Sequence, residues 1–234
     1  MPITDSFKAR LYPQLERITS YFGTPFHIYD ENGIRSTGEQ VKETFGRAGI
    51  FREYFAVKAL PNPAILKLMH SMGFGFDCSS IPELMLARQI GATGEEIMFT
   101  SNNTSQEDFL IAANDGGCIL NLDDISLVAK VPVMPDLICF RYNPGNRRTG
   151  NTIIGRPEEA KYGVSHEQIV DAYRQAQQRG AHRFGLHTML ASNELNYSYM
   201  VQTAAMLLEM CRQLELKLNI RMEFINIGGG LGIP

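Results

Sequence analysis

The sequence has 234 residues, 44% of them hydrophobic and 20% charged, and its 22 basic and 25 acidic side chains give a formal net charge of −3. This globular balance, without a long Lys/Arg run, argues against nucleic acid or an anionic membrane surface as partner. No apolar run approaches the roughly 18–20 residues of a membrane-spanning helix, and the polar start at Met1–Lys8 has no apolar segment of signal-peptide type. We expect a cytoplasmic protein.

Short β-rich runs alternate with helical runs from Tyr54 onward. The predicted strands, rich in Phe, Val, Ile and Tyr, are Tyr54–Ala59, Phe74–Ser79, Ile97–Ser101, Cys118–Leu122, Leu137–Asn143, Phe184–Met189 and Phe224–Ile227. A further strand is predicted at Phe26–Tyr29, outside this rhythm. The predicted helices are Ala64–Met72, Leu84–Ile90, a segment that ends before Gly180, and Tyr199–Leu216. Asn62 caps the first of these helices, and capping boxes at Ser80–Glu83 and Ser165–Gln168 open the second and third.

This alternation predicts parallel strands joined by crossover helices. A doubly wound open sheet and a (β/α)8 barrel both satisfy it. About seven strands of barrel type are present where a closed barrel needs about eight, and the sequence stops within a motif at Gly230–Pro234. We therefore expect a sequence that is cut short. The Gly/Asn/Arg-rich loop Pro144–Arg156 is a candidate active-site loop.

Functional groups in such a fold gather at the carboxyl ends of the strands. Lys58 ends the first strand between Val57 and Leu60. An ammonium group is costly to bury among apolar neighbours, and a desolvated lysine suits Schiff-base chemistry because the neutral amine is the nucleophile. The alternative is that Lys58 lies at the solvent end of the strand and keeps its charge in water.

Polar residues also end several of the later strands. Asp77 is placed to orient a lysine, and Ser79 to donate a hydrogen bond. Arg141 lies within an apolar strand, where it requires a paired carboxylate. His187 ends the sixth strand near the site, although a lone histidine is more often structural than catalytic.

The glycine run predicts phosphate binding, whereas the histidines and cysteines predict neither a metal site nor disulfides. Gly228, Gly229 and Gly230 follow an apolar strand, and such a run can point several backbone N–H groups at one anion, so phosphate binding is the prediction. A flexible terminus is the alternative. The histidines and the four cysteines, Cys78, Cys118, Cys139 and Cys211, show no spacing for a metal site or a disulfide framework. We expect the cysteines to be buried core residues.

A lysine after the first barrel strand together with a triple-glycine loop resembles the alanine-racemase-like (fold type III) pyridoxal-phosphate enzymes. Within them the sequence is most similar to the diaminopimelate, ornithine and arginine decarboxylase family. The motifs of this resemblance, in order, are Pro25–Asp30, Tyr54–Pro63, Gly75–Leu84, Phe99–Ser105, Phe140–Pro144, Lys161–Gly163, Gly185–Ser192 and Ile227–Gly232.

The resemblance implies an α/β fold: an alanine-racemase-like (β/α)8 TIM barrel that is incomplete at its C-terminus and lacks the family's C-terminal β-domain. It divides the chain into an N-terminal helix and strand at residues 1–30 and a pyridoxal-phosphate-binding barrel at residues 31–234. The full-length protein is then a homodimer. The eighth strand, which carries the glutamate that pairs with the cofactor's pyridine nitrogen, would be missing, so we expect this piece alone to be a poor catalyst.

The resemblance also assigns residues to pyridoxal 5'-phosphate. Lys58 is the catalytic residue that forms the Schiff base, no metal is involved, and a further phosphate donor is expected near Asn102 and Ser105. The other cofactor-binding residues are Asp77, Arg141, Met189, Ser192, Gly228, Gly229 and Gly230.

Met189 and Ala191 depart from the family pattern. Met189 stands where the family has the histidine that stacks on the cofactor ring, and Ala191 stands for a glycine. We expect the methionine to pack against the ring but not to form a hydrogen bond. Ser101 and Thr104 likewise replace a glycine and a lysine of the family pattern.

The implied reaction is pyridoxal-phosphate-dependent decarboxylation of an amino acid, first of all of meso-diaminopimelate to lysine in lysine biosynthesis. The partner is then a small-molecule amino-acid substrate. The open alternatives are another basic amino acid (lysine, ornithine or arginine, or a D-form), and a non-catalytic barrel that binds pyridoxal phosphate.

Overall fold

The computed structural model describes residues 4–151 and 153–233. The first three residues of the predicted polar start, one residue of the predicted active-site loop and the last residue of the glycine motif lie outside the described residues. The chain forms two compact units, one up to Glu53 and one from Tyr54 onward. The division at residue 30 stays a prediction.

The first unit is helical. Its α-helices are α1 (Asp5–Leu11), α2 (Leu15–Phe22) and α3 (Glu31–Gly46). Within this unit the Arg10 guanidinium binds the Asp30 carboxylate, with Nη2 2.7 Å from Oδ1. The predicted strand at Phe26–Tyr29 is wrong, because a strand forms through hydrogen bonds to a neighbour and this segment pairs with no strand among the described residues.

The second unit contains a parallel sheet. Its strands are β1 (Tyr54–Ala56), β2 (Gly75–Cys78), β3 (Gly94–Phe99), β4 (Cys118–Leu122), β5 (Leu137–Asn143), β6 (Val164–Ser165), β7 (Arg183–His187) and β8 (Met222–Asn226). The strand order is β1-β2-β3-β4-β5-β7-β8, and the short β6 pairs with β5 alone. All seven predicted strands of the rhythm are present. Two residues are too few to show periodicity, so β6 was not predicted.

Helices alternate with these strands. They are α4 (Pro63–Ser71), α5 (Ile81–Gln89), α6 (Gln106–Ala113), α7 (Leu127–Lys130), α8 (Ile169–Gln178) and α9 (Tyr197–Leu218). None of the helices in the described part of the chain has both the length and the apolar character that crossing a membrane requires.

The helix caps differ in part from the prediction. Asn62 caps α4 as expected, with Oδ1 2.9 Å from the Ala64 N–H. The predicted boxes at Ser80 and Ser165 are wrong. Glu83 accepts the Ser79 N–H and the Ser80 hydroxyl instead, and α8 begins only at Ile169, without a side-chain cap. The box that does form, Ser105 with Asp108, opens α6.

The apolar core has two layers. The larger cluster packs the helices against the outside of the sheet. A smaller cluster of Met98, Ile119, Leu137 and Cys139, with Tyr54 and Phe224 against it, lies on the inner face. Three of the cysteines are buried and Cys118 is partly buried, and burial raises the pKa of Cys211 to about 12.

Contacts across the inner face show that the sheet curls. Arg183 on β7 binds Glu95 on β3, and the Asn226 amide on β8 lies 3.4 Å from the Met98 sulfur on β3. Because β3 is not a neighbour of β7 or β8 in the sheet, these contacts require the wall of a barrel rather than an open, doubly wound sheet. The two ends of the strand order, β1 and β8, do not pair within the described residues.

Candidate active site

A polar layer lies on the inner face of the sheet, at the carboxyl ends of the strands. Side chains on one face of a strand recur every second residue, so each polar residue lies two positions after an apolar residue of the inner core. These pairs are Met98 and Thr100, Ile119 and Asn121, and Cys139 and Arg141. In the same layer, Asp77 is the last residue but one of β2, and His187 pairs in register with Arg141. Strand alternation therefore brings together groups from five strands.

Four of these groups form one chain of hydrogen bonds. The Thr100 hydroxyl donates to Asp77 Oδ1 at 2.7 Å. Asn121 Nδ2 lies 3.1 Å from Thr100 Oγ1 and 2.8 Å from His187 Nδ1. His187 is 8% exposed, and burial, with smaller effects of Arg141 and Lys58, lowers its pKa to about 3. His187 is therefore neutral at physiological pH.

Burial sets the behaviour of Asp77. It raises the pKa of the Asp77 carboxyl, while the Thr100 hydrogen bond and the positive charges of Lys58 and Arg141 act in the opposite direction. The charges of Lys58 and Arg141 thus both act on Asp77, and the family resemblance had assigned all three residues to one site.

Lys58 lies in the short 3-10 turn Val57–Ala59 that follows β1. Its Nζ is 3.3 Å from Ser79 Oγ, and the Ser79 N–H in turn donates to Glu83 at 2.9 Å. The lysine side chain is exposed, so the expected burial among apolar neighbours is wrong. The turn carries Lys58 out of the strand and to its solvent end, which was the alternative.

Arg141 has the paired carboxylate that its burial required. Its Nη1 lies 3.1 Å from Asp123 Oδ1, and the two side chains are 15% and 4% exposed. The guanidinium also stacks over the Tyr162 ring at 5.1 Å. Burial raises the pKa of Asp123 and the Arg141 charge lowers it. The attraction between the two charges thus offsets part of the cost of burying the carboxylate.

The glycine loop packs against the segment that follows β7. Gly228 and Gly230 have φ of +73° and +93°, and a Cβ on either would overlap a backbone carbonyl, of Thr188 and of Ala191 respectively. Only glycine fits both positions. Gly229, between them, faces open space with nothing within 4 Å of a Cβ.

Two of the loop's amides already have partners. The Gly228 N–H donates to Asn226 Oδ1 at 2.8 Å, and the Gly229 N–H lies 3.2 Å from the Met189 sulfur. The expectation that Met189 forms no hydrogen bond is therefore wrong, since a thioether sulfur is a weak acceptor.

Ser192 lies beside this loop, because its Cα is 3.0 Å from a Cβ placed on Gly230. The predicted active-site loop reaches the same place. Asn151 Nδ2 donates to the Ser192 carbonyl at 2.6 Å, and the Asn151 N–H faces the Leu190 carbonyl at 3.4 Å. Ser105, expected as a nearby donor, uses its hydroxyl to cap α6.

Sequence reasoning missed several residues of the site. They are Glu83, Thr100, Asn121, Asp123 and Asn151. Thr100, Asn121 and Asp123 could have been found from the sequence. Each lies at or just after the carboxyl end of a strand, at a position where strand alternation turns the side chain to the inner face. Strand alternation does not mark Glu83 or Asn151, which reach the site from a helix and from the loop at residues 144–156, although that loop as a whole was a candidate.

A separate cavity of about 190 Å³ opens at the opposite, amino-terminal end of the strands, lined among others by Glu95, Cys118, Asp136 and Arg183. Its one guanidinium is already bound to Glu95 and Glu223. The polar layer, rather than this cavity, is the candidate site.

The model of the family described as pyridoxal-dependent decarboxylase, pyridoxal binding domain, matches residues 31–234. Protein TabA of Pseudomonas amygdali pv. tabaci is 44% identical over 234 residues, which are 100% of this chain and 55% of that protein. Diaminopimelate decarboxylase of Thermoplasma acidophilum is 29% identical over 223 residues, covering 94% of this chain and 54% of the relative. The chain spans about half the length of the curated relatives it matches.

Solved structures show the same fold. Diaminopimelate decarboxylase from M. jannaschii, in co-complex with L-lysine, superposes with a TM-score of 0.83 at 25% identity, over 93% of this chain and 54% of that one. The enzyme from Helicobacter pylori, also complexed with L-lysine, gives a TM-score of 0.82 at 23% identity, over 93% and 57%.

Proposed function

This chain belongs to the pyridoxal-dependent decarboxylases, and we propose that it provides the cofactor-binding barrel for decarboxylation of an amino acid, with Lys58 as the residue that binds pyridoxal 5'-phosphate covalently. The observation that carries this proposal is the grouping of Lys58, Asp77 and Arg141 at the carboxyl-terminal end of one barrel wall, where the positive charges of Lys58 and Arg141 both act on Asp77. Parallel barrels place their chemistry at that end.

The residues present fit the cofactor. Gly228 and Gly230 have a left-handed backbone conformation and leave no room for a side chain, whereas the space beside Gly229 is open. The Gly228 amide is held by Asn226, whereas the Gly229 amide has only the weak Met189 sulfur as acceptor, so we assign the Gly229 N–H to a phosphate oxygen. Ser192 lies beside the loop. Lys58, on an exposed turn at the other side of the polar layer, has a primary amine within reach of solvent and of an incoming aldehyde.

Each group has a distinct task in this proposal. Lys58 supplies the amine, and Ser79, fixed by Glu83, holds the Lys58 side chain. Asp77 balances positive charge at the floor of the site. Arg141 is paired with Asp123, and its positive charge also favours the ionised form of Asp77. Bound pyridoxal phosphate supplies an electron-withdrawing ring that accepts the electron pair left by the departing carboxylate.

The first substrate we propose is meso-diaminopimelate, decarboxylated to lysine. Support comes from the diaminopimelate decarboxylases among the relatives and from neighbouring structures named for their complexes with L-lysine. A different amino acid is the second candidate, because identity to TabA is 44% against 29% to the Thermoplasma acidophilum enzyme and because Met189 occupies the position next to the glycine loop. The homodimer and the cytoplasmic location stay predictions.

Covalent labelling tests the central assignment. The chain is mixed with pyridoxal 5'-phosphate, its absorbance spectrum is recorded, and borohydride reduction is followed by peptide mapping. We expect the label on Lys58, and its loss in Lys58→Ala but not in Lys67→Ala, a change at an exposed lysine on α4. A label on another lysine contradicts the assignment.

Substrate choice needs a separate assay. Release of CO₂ is measured from meso-diaminopimelate, lysine, ornithine and arginine, with the longest form of the protein available and cofactor present. Turnover of meso-diaminopimelate alone supports the first substrate, and turnover of another amino acid supports the second. Bound cofactor without CO₂ from any of them favours a non-catalytic barrel.

A further inference from the structure

Asp77 has one hydrogen-bond donor among its described contacts, the Thr100 hydroxyl at 2.7 Å. A threonine hydroxyl has a single hydrogen, and its lone pairs accept. Because Asn121 Nδ2, at 3.1 Å, donates to that oxygen, the hydroxyl hydrogen is left for Asp77. Asn121 therefore sets the direction of the Thr100 hydroxyl.

Asn121 is itself held by His187. Its second amide hydrogen points to His187 Nδ1 at 2.8 Å, which must then be an acceptor, so the proton of the neutral ring lies on Nε2. A charged His187 would carry hydrogens on both nitrogens and would oppose the amide hydrogens of Asn121. The buried position of His187 and its lowered pKa agree with the neutral form.

The reverse orientation of the Asn121 amide is less favourable. As it stands, Asn121 Oδ1 is buried without a partner among the described residues. Turning the amide around would leave two buried N–H groups without acceptors in place of one carbonyl, and buried N–H groups are the more rarely unpaired. It would also take the Thr100 hydrogen away from Asp77.

We propose that Thr100, Asn121 and His187 are positioning residues, which act as one directed relay to hold the Asp77 carboxylate in the cofactor site. In this relay Asn121 donates one amide hydrogen to His187 Nδ1 and the other to the Thr100 hydroxyl, and that hydroxyl donates to Asp77. It spans four strands of the barrel wall, so its geometry follows from strand register rather than from a mobile loop. Its place in a cofactor site rests on the proposed function, whereas the relay itself does not.

The direction of the relay is tested first on the unchanged chain. Nitrogen-15 chemical shifts of histidine distinguish the two neutral tautomers and the charged ring. We expect His187, assigned by its absence in His187→Gln, to be the Nε2–H tautomer at pH 7 and to stay neutral on acidification to pH 5. An Nδ1–H tautomer, or a charged ring at pH 7, overturns the relay.

The effect on Asp77 is tested with matched threonine variants. Thr100→Val removes the hydroxyl at constant shape, and Thr100→Ser keeps it. Thr104→Val removes another buried hydroxyl, which donates to the Ser101 carbonyl outside the relay. The readout is the carbon-13 carboxyl titration of Asp77, identified by its absence in Asp77→Asn. The charged groups that act on Asp77 besides the relay are Lys58, Glu83 and Arg141, and all of them stay in place.

Thr100→Val should displace the Asp77 titration to higher pH. A hydrogen bond to a charged group changes an equilibrium about tenfold or more. At the pH where half of Asp77 is ionised in the unchanged chain, we therefore expect about a tenth to be ionised in Thr100→Val. Thr100→Ser and Thr104→Val should titrate like the unchanged chain. If Thr100→Val does not fold, Thr100→Ala replaces it, and an unmoved titration in the folded variant overturns the proposal.

A double variant shows whether Asn121 acts on the Asp77 titration through the Thr100 hydroxyl or through a general change in packing. Asn121→Leu should displace the titration in the same direction, and adding it to Thr100→Val should give no further displacement, because both act through one hydroxyl. Additive displacements contradict the relay. These titrations need no cofactor, so they can succeed when covalent labelling of Lys58 fails. A failure of the relay likewise leaves the Lys58 assignment standing.

Discussion

The glycine loop offers a test in which stability and cofactor binding separate. We compare Gly229→Ala with Gly230→Ala. The two glycines are adjacent in the chain, but a methyl group at Gly229 meets nothing within 4 Å, whereas one at Gly230 overlaps the Ala191 carbonyl oxygen and comes to 2.6 Å from its carbon. Gly230 also has a φ of +93°.

The structure allows the cost of each change to be worked out. For Gly230→Ala, a left-handed backbone costs about 1–2 kcal/mol, and displacing the overlapped carbonyl of Ala191 adds about 1–3 kcal/mol, as overpacking does. The expected loss is therefore about 2–5 kcal/mol. For Gly229→Ala neither cost applies, and we expect the free energy of unfolding to change by less than about 1 kcal/mol.

Cofactor affinity should instead respond at Gly229, the position where stability is unchanged. The methyl group of Gly229→Ala enters the space in which we place the phosphate, so we expect at least about tenfold weaker binding of pyridoxal 5'-phosphate in a chain of unchanged stability. Urea unfolding gives the stability, and a cofactor titration followed by absorbance gives the affinity.

Two results would refute this reasoning. Unchanged cofactor affinity in Gly229→Ala would show that the phosphate is not held at this loop. Unchanged stability in Gly230→Ala would show that the loop does not pack on Ala191 in the way the structure has it.

Three further changes test other parts of the site. Arg141→Met should lower the free energy of unfolding by about 3–5 kcal/mol, because it leaves the Asp123 charge buried and unpaired, and urea unfolding should show that adding Asp123→Asn restores part of that loss. His187 has a pKa of about 3 in the folded chain against about 6.5 unfolded. The unfolded state therefore binds the extra proton between these pH values, and stability falls as the pH falls through that window, by up to about 1.4 kcal/mol per pH unit. His187→Gln should flatten that slope in unfolding measured at pH 4 to 7, and an unchanged slope contradicts the buried neutral ring. Asn151→Ala removes the hydrogen bond to the Ser192 carbonyl, so limited proteolysis should cut the loop at residues 144–156 faster. The free energy of unfolding in urea should fall by no more than about 1–3 kcal/mol. An unchanged cutting rate contradicts a role of this hydrogen bond in holding the loop.

Much of the fold followed from local patterns. The alternation of apolar β runs with capped helices predicted the parallel sheet, and all seven strands of that rhythm formed. Lys58, Asp77, Arg141 and the triple glycine could be found because each lies at or just after the end of a predicted strand, where parallel folds gather their chemistry. These features depend on residues close together in the chain.

The errors came where a distant partner decides the outcome. Phe26–Tyr29 has strand-forming residues, but it forms no strand because no neighbour pairs with it in the described structure. Lys58 has apolar neighbours in sequence, yet the turn after β1 exposes it. The Met189 sulfur accepts an N–H from Gly229, a contact across forty residues.

The sequence by itself determined the strands, the helices between them and the candidate lysine and glycines, since periodicity, capping and backbone freedom are local properties. Only the tertiary structure decided that the sheet curls, and that β4 and β7 flank β5. The chain of hydrogen bonds from His187 through Asn121 and Thr100 to Asp77 depends on this strand order, register and curvature. Each of these side chains is unremarkable on its own strand, and curvature and register give them their partners.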